Sequence, residues 1–138
     1  MKRNENVTIF LIDDDEVDVM GVRRAFKHAD MNNEIIVASN GIEGLGKLRD
    51  ASVPRPRIIL LDINMPRMGG MEFLEQARKD PNLHSSIIFV LTTSNAEEDR
   101  RSAYRHNVAG YILKDPKNEG FIDVVDLFKC YSNVVEFP

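Results

Sequence analysis

Three segments of this chain, VTIFLI (7–12), RIILLD (57–62) and IIFVLT (87–92), are apolar almost without interruption. Strand length combined with unbroken apolarity means burial on both faces, the condition of a parallel sheet covered by helices. EIIVAS (34–39) is a fourth run of that length, and AGYILK (109–114) is a weaker fifth. Helical spacings fill the gaps. Residues 15–29 place Val19, Val22, Phe26 and Ala29 three and four apart. Residues 40–50 offer Ile42, Leu45 and Leu48, weakened by Gly44 and Gly46; residues 70–80 offer Met71, Phe73, Leu74 and Ala77 before Pro81 stops them. Residues 95–107 are strongly charged, with Ala96, Ala103 and Tyr104 to bury, and 118–132 form the last helix. Strand and helix alternate throughout with short linkers. The pattern predicts one α/β domain over residues 1–132, followed by a short tail, 133–138. Its sheet is five-stranded, parallel and doubly wound, with right-handed crossovers that bring function to the carboxyl ends of the strands.

Charge excludes one large class of partner. The formal net charge is −4 and no Lys/Arg cluster interrupts it, so nucleic acid is not an expected ligand. Cys130 stands alone, which excludes a disulfide framework and points to a reducing compartment. No stretch has the length of a signal peptide or of the roughly 20 apolar residues that span a membrane. A cytoplasmic protein without a membrane partner is expected.

The strand ends carry the chemistry. The first run ends in Asp13, Asp14 and Asp15, the third in Asp62, the fourth in Thr92, Thr93 and Ser94, and the fifth in Lys114. A doubly wound sheet gathers these loops at one rim. Several carboxylates there cannot all stay ionised and unpaired without a large cost. A hard divalent cation relieves it, and oxygen-only ligands suit Mg²⁺, while the lack of His or Cys argues against zinc. A cation, an ammonium and a hydroxyl are also the groups that hold a phosphoryl group in transfer, and an Asp among them can accept it covalently. Asp15, with Asp18 three residues on, reads instead as the cap and first-turn acid of the first helix.

The stretches IFLIDDDEVD, ILLDINMPRMGG, FVLTTS and GYILK together resemble the receiver domain of two-component response regulators, over almost the whole chain. The resemblance implies a flavodoxin-like sheet of order 2-1-3-4-5 and a stand-alone, single-domain response regulator. Such a protein is a phosphoacceptor that catalyses only its own phosphotransfer and dephosphorylation. It implies Asp62 as the acceptor of phosphate from a histidine kinase, and Mg²⁺ held by Asp13, Asp14, Asp62 and the Asn64 carbonyl. It implies Thr92 and Lys114 on the phosphoryl oxygens and Tyr111 as an aromatic switch that turns inward with Thr92. The switch would reach the surface of the fourth helix, fifth strand and fifth helix. Thr93 is a plausible understudy for Thr92. Stand-alone receivers paired with bacteriophytochrome-type kinases share DDDEVD, PRMGG, LTTSNAEED and a VVEFP-like tail, which suggests a phytochrome-type kinase as the donor. One departure is LKDPKN, where Asp115 stands in the usual place of Pro. Any cis bond then falls at Asp115–Pro116, and the added carboxylate is expected to weaken the pairing of Lys114 with phosphate.

On the last helix, Phe121, Val125 and Phe128 form a core stripe. Ile122, Val124, Leu127 and Tyr131 widen the apolar arc to roughly 220°, about twice what one buried face needs. Either the tail folds back over the excess through Val134, Val135 and Phe137, or a second copy covers it. A homodimer with Val124, Leu127 and Tyr131 at its interface is the favoured expectation. Two other functions compete with the receiver. A phosphatase of the haloacid dehalogenase type would use Asp13 as nucleophile and Asp15 as acid/base, but needs a later acidic pair at a strand end. A receiver-fold scaffold would bind protein with little phosphotransfer. A flavin-binding flavodoxin is disfavoured, since carboxylates in the first loop would repel a phosphate.

Overall fold

The computed structural model describes residues 6–114 and 121–138. Five strands, β1 (Thr8–Ile12), β2 (Ile35–Ala38), β3 (Arg57–Leu61), β4 (Ile87–Thr92) and β5 (Gly110–Leu113), form one parallel sheet of order β2-β1-β3-β4-β5. They alternate with α1 (Glu16–His28), α2 (Gly41–Arg49), α3 (Gly70–Lys79), α4 (Glu97–Arg105) and α5 (Ile122–Val134). All five expected strands and helices form.

The unbroken apolar runs supply two cores because a strand turns successive side chains to opposite faces. Phe10, Ile12, Ile59, Leu61, Ile88 and Val90 face one layer with Leu45, Leu48, Phe73, Leu74 and Ala77 from α2 and α3 and Ala103 from α4. Ile9, Leu11, Ile58, Leu60, Phe89 and Leu91 face the other with Val22, Ala25 and Phe26 from α1 and Val124, Val125 and Phe128 from α5. A buried Ile, Leu or Phe contributes roughly 1.5–3 kcal/mol, so the sheet centre fixes the register. That register places the last residues of β1 and β3, Ile12 and Leu61, side by side. The aspartates that follow them therefore emerge as neighbours.

Helix faces were less legible. Ala29 is an exposed cap residue and Ala25 takes its core place. Ile42 is 54% exposed, because α2 buries Gly41 and Gly44 with Leu45 and Leu48. Ala96 caps α4 from an exposed position and Tyr104 is 49% exposed, leaving Ala103 as the buried residue of that helix. The helix-weakening Gly44 has a packing reason, since a Cβ there would lie 2.8 Å from Ile12 Cδ1.

On α5, Val124 was expected at an interface, yet it is 5% exposed and belongs to the chain's own core. Tyr131 packs edge-on against Phe89, with ring centroids 5.3 Å apart, and against Phe137 from the tail at 6.2 Å. The tail thus covers part of the apolar excess. Leu127 stays 39% exposed and Val134 77%. The helix continues two residues beyond 132, so the expected tail boundary falls inside it. The Asp115–Pro116 bond, the Asp115 carboxylate and residues 118–120 of the expected helix lie outside the described residues.

Gly70 ties the fold to the strand ends. It opens α3, and a Cβ built on it would stand 2.5 Å from the Asp62 carbonyl oxygen and 2.7 Å from Ile63 Cα. Both neighbours are backbone and cannot rotate away. Gly70→Ala is expected to destabilise the protein by roughly 2–3 kcal/mol through overpacking, read from urea unfolding. It should also displace the Asp62 loop, read from amide shifts of Asp62 and Ile63.

Candidate metal and phosphoryl site

The strand ends are stitched together by backbone before any side chain acts. Asp13 N–H donates to Ala38 O at 2.9 Å, Asp62 N–H to Ile12 O at 2.9 Å, and Lys114 N–H to Thr92 O at 2.8 Å. These bonds continue the parallel ladders one residue past the strands, and so fix where Asp13, Asp62 and Lys114 leave the sheet. One carboxylate oxygen each from Asp13, Asp14 and Asp62 lies within 4.8 Å of the others. Asp13 and Asp62 are buried, at 2% and 8% exposure, whereas Asp14 is exposed.

Lys114 enters this acidic cluster. Its Nζ donates to Asp13 Oδ2 at 2.8 Å and to Asp18 Oδ2 at 2.7 Å, and lies 3.7 Å from Asp62 Oδ2. Burial lowers the affinity of the ammonium for its proton. The hydrogen bonds to Asp13 and Asp18 and the charges of Asp13 and Asp62 outweigh that, so its pKa is raised overall. Asp13 moves the same way, which an isolated ion pair would not do. Burial pushes its carboxyl up, against hydrogen bonds from Lys114 and the Asp15 N–H, and the Asp62 charge adds to the rise. Asp13, Asp18 and Asp62 share the Lys114 ammonium, with Asp14 adding its charge nearby, so the buried acid remains under-compensated while the base is over-compensated. The donor set is oxygen only, compact, and carries more negative charge than Lys114 can offset. Those are the properties that fit a hard divalent cation.

The open cleft over the cluster is lined by Asp14, Asp15, Glu16, Val17, Asp18, Asp62, Asn64, Thr93 and Lys114. Asn64 and Asp62 both line this cleft. From β4 it is the exposed Thr93 that lines the cleft. Thr92 is fully buried, its Oγ1 accepting from Ser94 N–H at 3.3 Å. Tyr111 donates its hydroxyl to Ser94 O at 2.8 Å and is partly buried against the α3 and α4 side of the core. Asp15 caps α1, accepting from Val17 N–H at 2.9 Å and Asp18 N–H at 3.4 Å. The residue that sequence reasoning missed is Asp18, taken for a first-turn acid only. The signal was a fourth aspartate inside DDDEVD, placed on the first turn of α1 directly after the acidic strand end.

Fold and site together define a doubly wound α/β domain whose acidic rim fits a divalent cation, with a lysine over it. The response regulator receiver domain matches residues 9–126, and the chain belongs to that family. Response regulator Rcp1 of Synechocystis sp. is 30% identical, covering 97% of this chain and 90% of its own. The probable methanogenesis regulatory protein FilR2 of Methanothrix harundinacea is 31% identical over 89% of this chain and 81% of its own. Among solved structures, the phosphorylated cyanobacterial phytochrome response regulator RcpA superposes with a TM-score of 0.86 at 28% identity, covering 96% of this chain and 99% of that one. The Mn²⁺-bound form of Rcp1 gives 0.83, also at 28% identity, with the same coverage of both chains. The chain is a receiver of two-component signalling, and its acidic pocket fits a divalent cation. Asp123 and Asp126 are exposed on α5, so among the described residues no later acidic pair joins the rim as a dehalogenase-type phosphatase would need. Among the described residues no helix is long and apolar enough to cross a membrane.

Proposed function

We propose that this receiver accepts a phosphoryl group on Asp62 from the phosphohistidine of a histidine kinase, with Mg²⁺ in the acidic pocket. The observation that carries the reading is the meeting of Asp13, Asp14 and Asp62 within 4.8 Å under the Lys114 ammonium. In the transfer, an Asp62 carboxylate oxygen forms the new bond to phosphorus as the phosphorus–nitrogen bond of the donor breaks. The donor imidazole keeps the electron pair and takes up a proton. Asp13, Asp14, Asp62 and the Asn64 carbonyl would hold Mg²⁺, which supplies charge neutralisation for the incoming phosphoryl oxygens. Lys114 offers a second positive charge, and Thr92 or Thr93 a hydroxyl. Tyr111, tied to Ser94 O in the resting form, would report the event towards α4, β5 and α5. Likeness to phytochrome response regulators favours a phytochrome-type kinase as donor, and a cytoplasmic location accords with such a partner.

Acetyl phosphate tests the acceptor chemistry without the kinase. With Mg²⁺ present, intact-mass spectrometry is expected to find one added phosphoryl group per chain, and with EDTA none. Incorporation that ignores EDTA would sink the cation's role, and none under either condition would sink the acceptor reading.

The proposed homodimer rests on Leu127 and Val134, seven residues apart on one face of α5 and both exposed. Leu127→Glu with Val134→Glu is expected to turn a dimer into a monomer in light scattering at tens of micromolar. A wild-type monomer, phosphorylated or not, would refute the dimer.

A further inference from the structure

The Lys114 ammonium does not sit on the acceptor. It holds Asp18 Oδ2 at 2.7 Å and Asp13 Oδ2 at 2.8 Å, but stands 3.7 Å from Asp62 Oδ2. The first two are charge-assisted hydrogen bonds, and the third separation exceeds the ~3.2 Å reach of one. An ammonium has three donors, and among the described residues two of them are committed. A lysine on a flexible stem would close such a gap, since attraction grows as opposite charges approach. Something holds it back. Asp13 belongs to the cation-binding cluster and so has a second claimant. Asp18 does not belong to that cluster. It rises from the first turn of α1, where its own N–H is held by the capping Asp15, and its side chain is 22% exposed.

We propose that Asp18 is a positioning residue for phosphoryl acceptance. It keeps Lys114 set back from Asp62, too far to hydrogen-bond the bare carboxylate and near enough to take an oxygen of a phosphoryl group carried there. This deepens the proposed acceptor function and rests on it. The outer oxygens of a phosphoryl group stand two P–O bonds beyond the Asp62 oxygen that carries it, so they fill the gap that the carboxylate leaves. Two consequences follow. The attacking carboxylate oxygen is not occupied by a direct hydrogen bond from the ammonium, and Lys114 need not be displaced when phosphate arrives. It can keep Asp18 and spend its third donor on the new anion. Without Asp18, Lys114 would settle on Asp62 and have to be pulled off.

The competing role for Asp18 is that of an acid at a helix N-terminus, favourable to the helix dipole. That role would not depend on Lys114. The test is a calorimetric titration with beryllofluoride, the phosphoryl analogue, at saturating Mg²⁺, for wild type, Asp18→Asn, Asp18→Glu, Lys114→Met and the Asp18→Asn/Lys114→Met double variant. Asp18→Asn is expected to weaken beryllofluoride binding about tenfold, the scale of one charge-assisted hydrogen bond. Asp18→Glu should recover part of the loss, and Asp18→Asn should change nothing further in the Lys114→Met background. Metal-free unfolding gives a second readout, in which the effects of Asp18→Asn and Lys114→Met should be strongly non-additive. If Lys114→Met is too unstable, a metal-free crystal structure of Asp18→Asn serves. Lys114 within hydrogen-bonding distance of Asp62 supports the proposal, and an unchanged separation overturns it. Unchanged or tighter beryllofluoride binding in Asp18→Asn, or an equal loss in both backgrounds, would overturn it while leaving Asp62 the acceptor. Failure of the wild type itself to bind beryllofluoride would overturn the acceptor reading and this inference together.

Discussion

Asp62→Asn is expected to lower phosphoryl incorporation from acetyl phosphate by at least ~10³-fold, the scale on which a covalent nucleophile is lost. The amide keeps the shape of the side chain but has no oxygen with a free negative charge to attack phosphorus. Asp62 is buried to 8% exposure between the ends of β1 and β4, and its backbone N–H remains bonded to Ile12 O. The loop should therefore keep its place, and the loss is chemical rather than structural. The same change removes one of the crowded carboxylates, so the metal-free variant should unfold no earlier than wild type and with less response to Mg²⁺. Intact-mass spectrometry after acetyl phosphate reads the first effect and thermal unfolding with and without Mg²⁺ reads the second. Wild-type incorporation in Asp62→Asn, with loss in Asp13→Asn, would move the nucleophile to Asp13 and revive the phosphatase alternative.

The meeting of Asp62, the acid pair and the lysine at one rim was legible because strand ends are legible. Where Ile12, Leu61, Thr92 and Leu113 end strongly apolar runs, the next polar side chains must leave the sheet at one rim, whatever the helices do. Helix faces carry less information. An arc of apolar residues wider than one face does not say which part is buried, so Val124 and Leu127 could not be told apart until the sheet was placed against α5. The structure buries Val124 at 5% and leaves Leu127 at 39%. Asp18 was missed for another reason. Its partner Lys114 is 96 residues away in sequence, and nothing local to DDDEVD distinguishes an acid serving the helix dipole from one reaching back over the rim. The same limit applies to Thr92 and Thr93. Adjacent residues leaving a strand point to opposite sides, and it is the fold that turns Thr93 to the cleft and buries Thr92 beside Ser94.

Lys114→Met is expected to destabilise the metal-free protein by about 3 kcal/mol near neutral pH, the low end for breaking a buried ion pair by removing one partner. Methionine keeps much of the stem's packing, so the loss is mainly electrostatic. Asp13, with a side chain 1% exposed, is left with no ammonium, and Asp18 and Asp62 lose theirs as well. The pH dependence has a definite sign. Lys114 binds its proton more tightly folded than unfolded, so its contribution is complete at neutral pH and is lost only in strongly alkaline solution, as pH rises through the raised value. Asp13 also binds a proton more tightly folded than unfolded, so its ionisation opposes folding as pH rises above the ordinary carboxylate range. The cost of Lys114→Met should accordingly shrink on acidification towards that range, where Asp13 takes up a proton and one unpaired buried charge is removed. Mg²⁺ should restore part of the stability at neutral pH, since a cation offsets the same carboxylates by binding only the folded state. Urea unfolding of wild type and variant at pH 7 and pH 4.5, each with and without Mg²⁺, measures all four quantities. A cost that stays constant across pH and ignores Mg²⁺ would mean that Lys114 contributes through packing of its stem, and that the acidic rim tolerates its own repulsion without it.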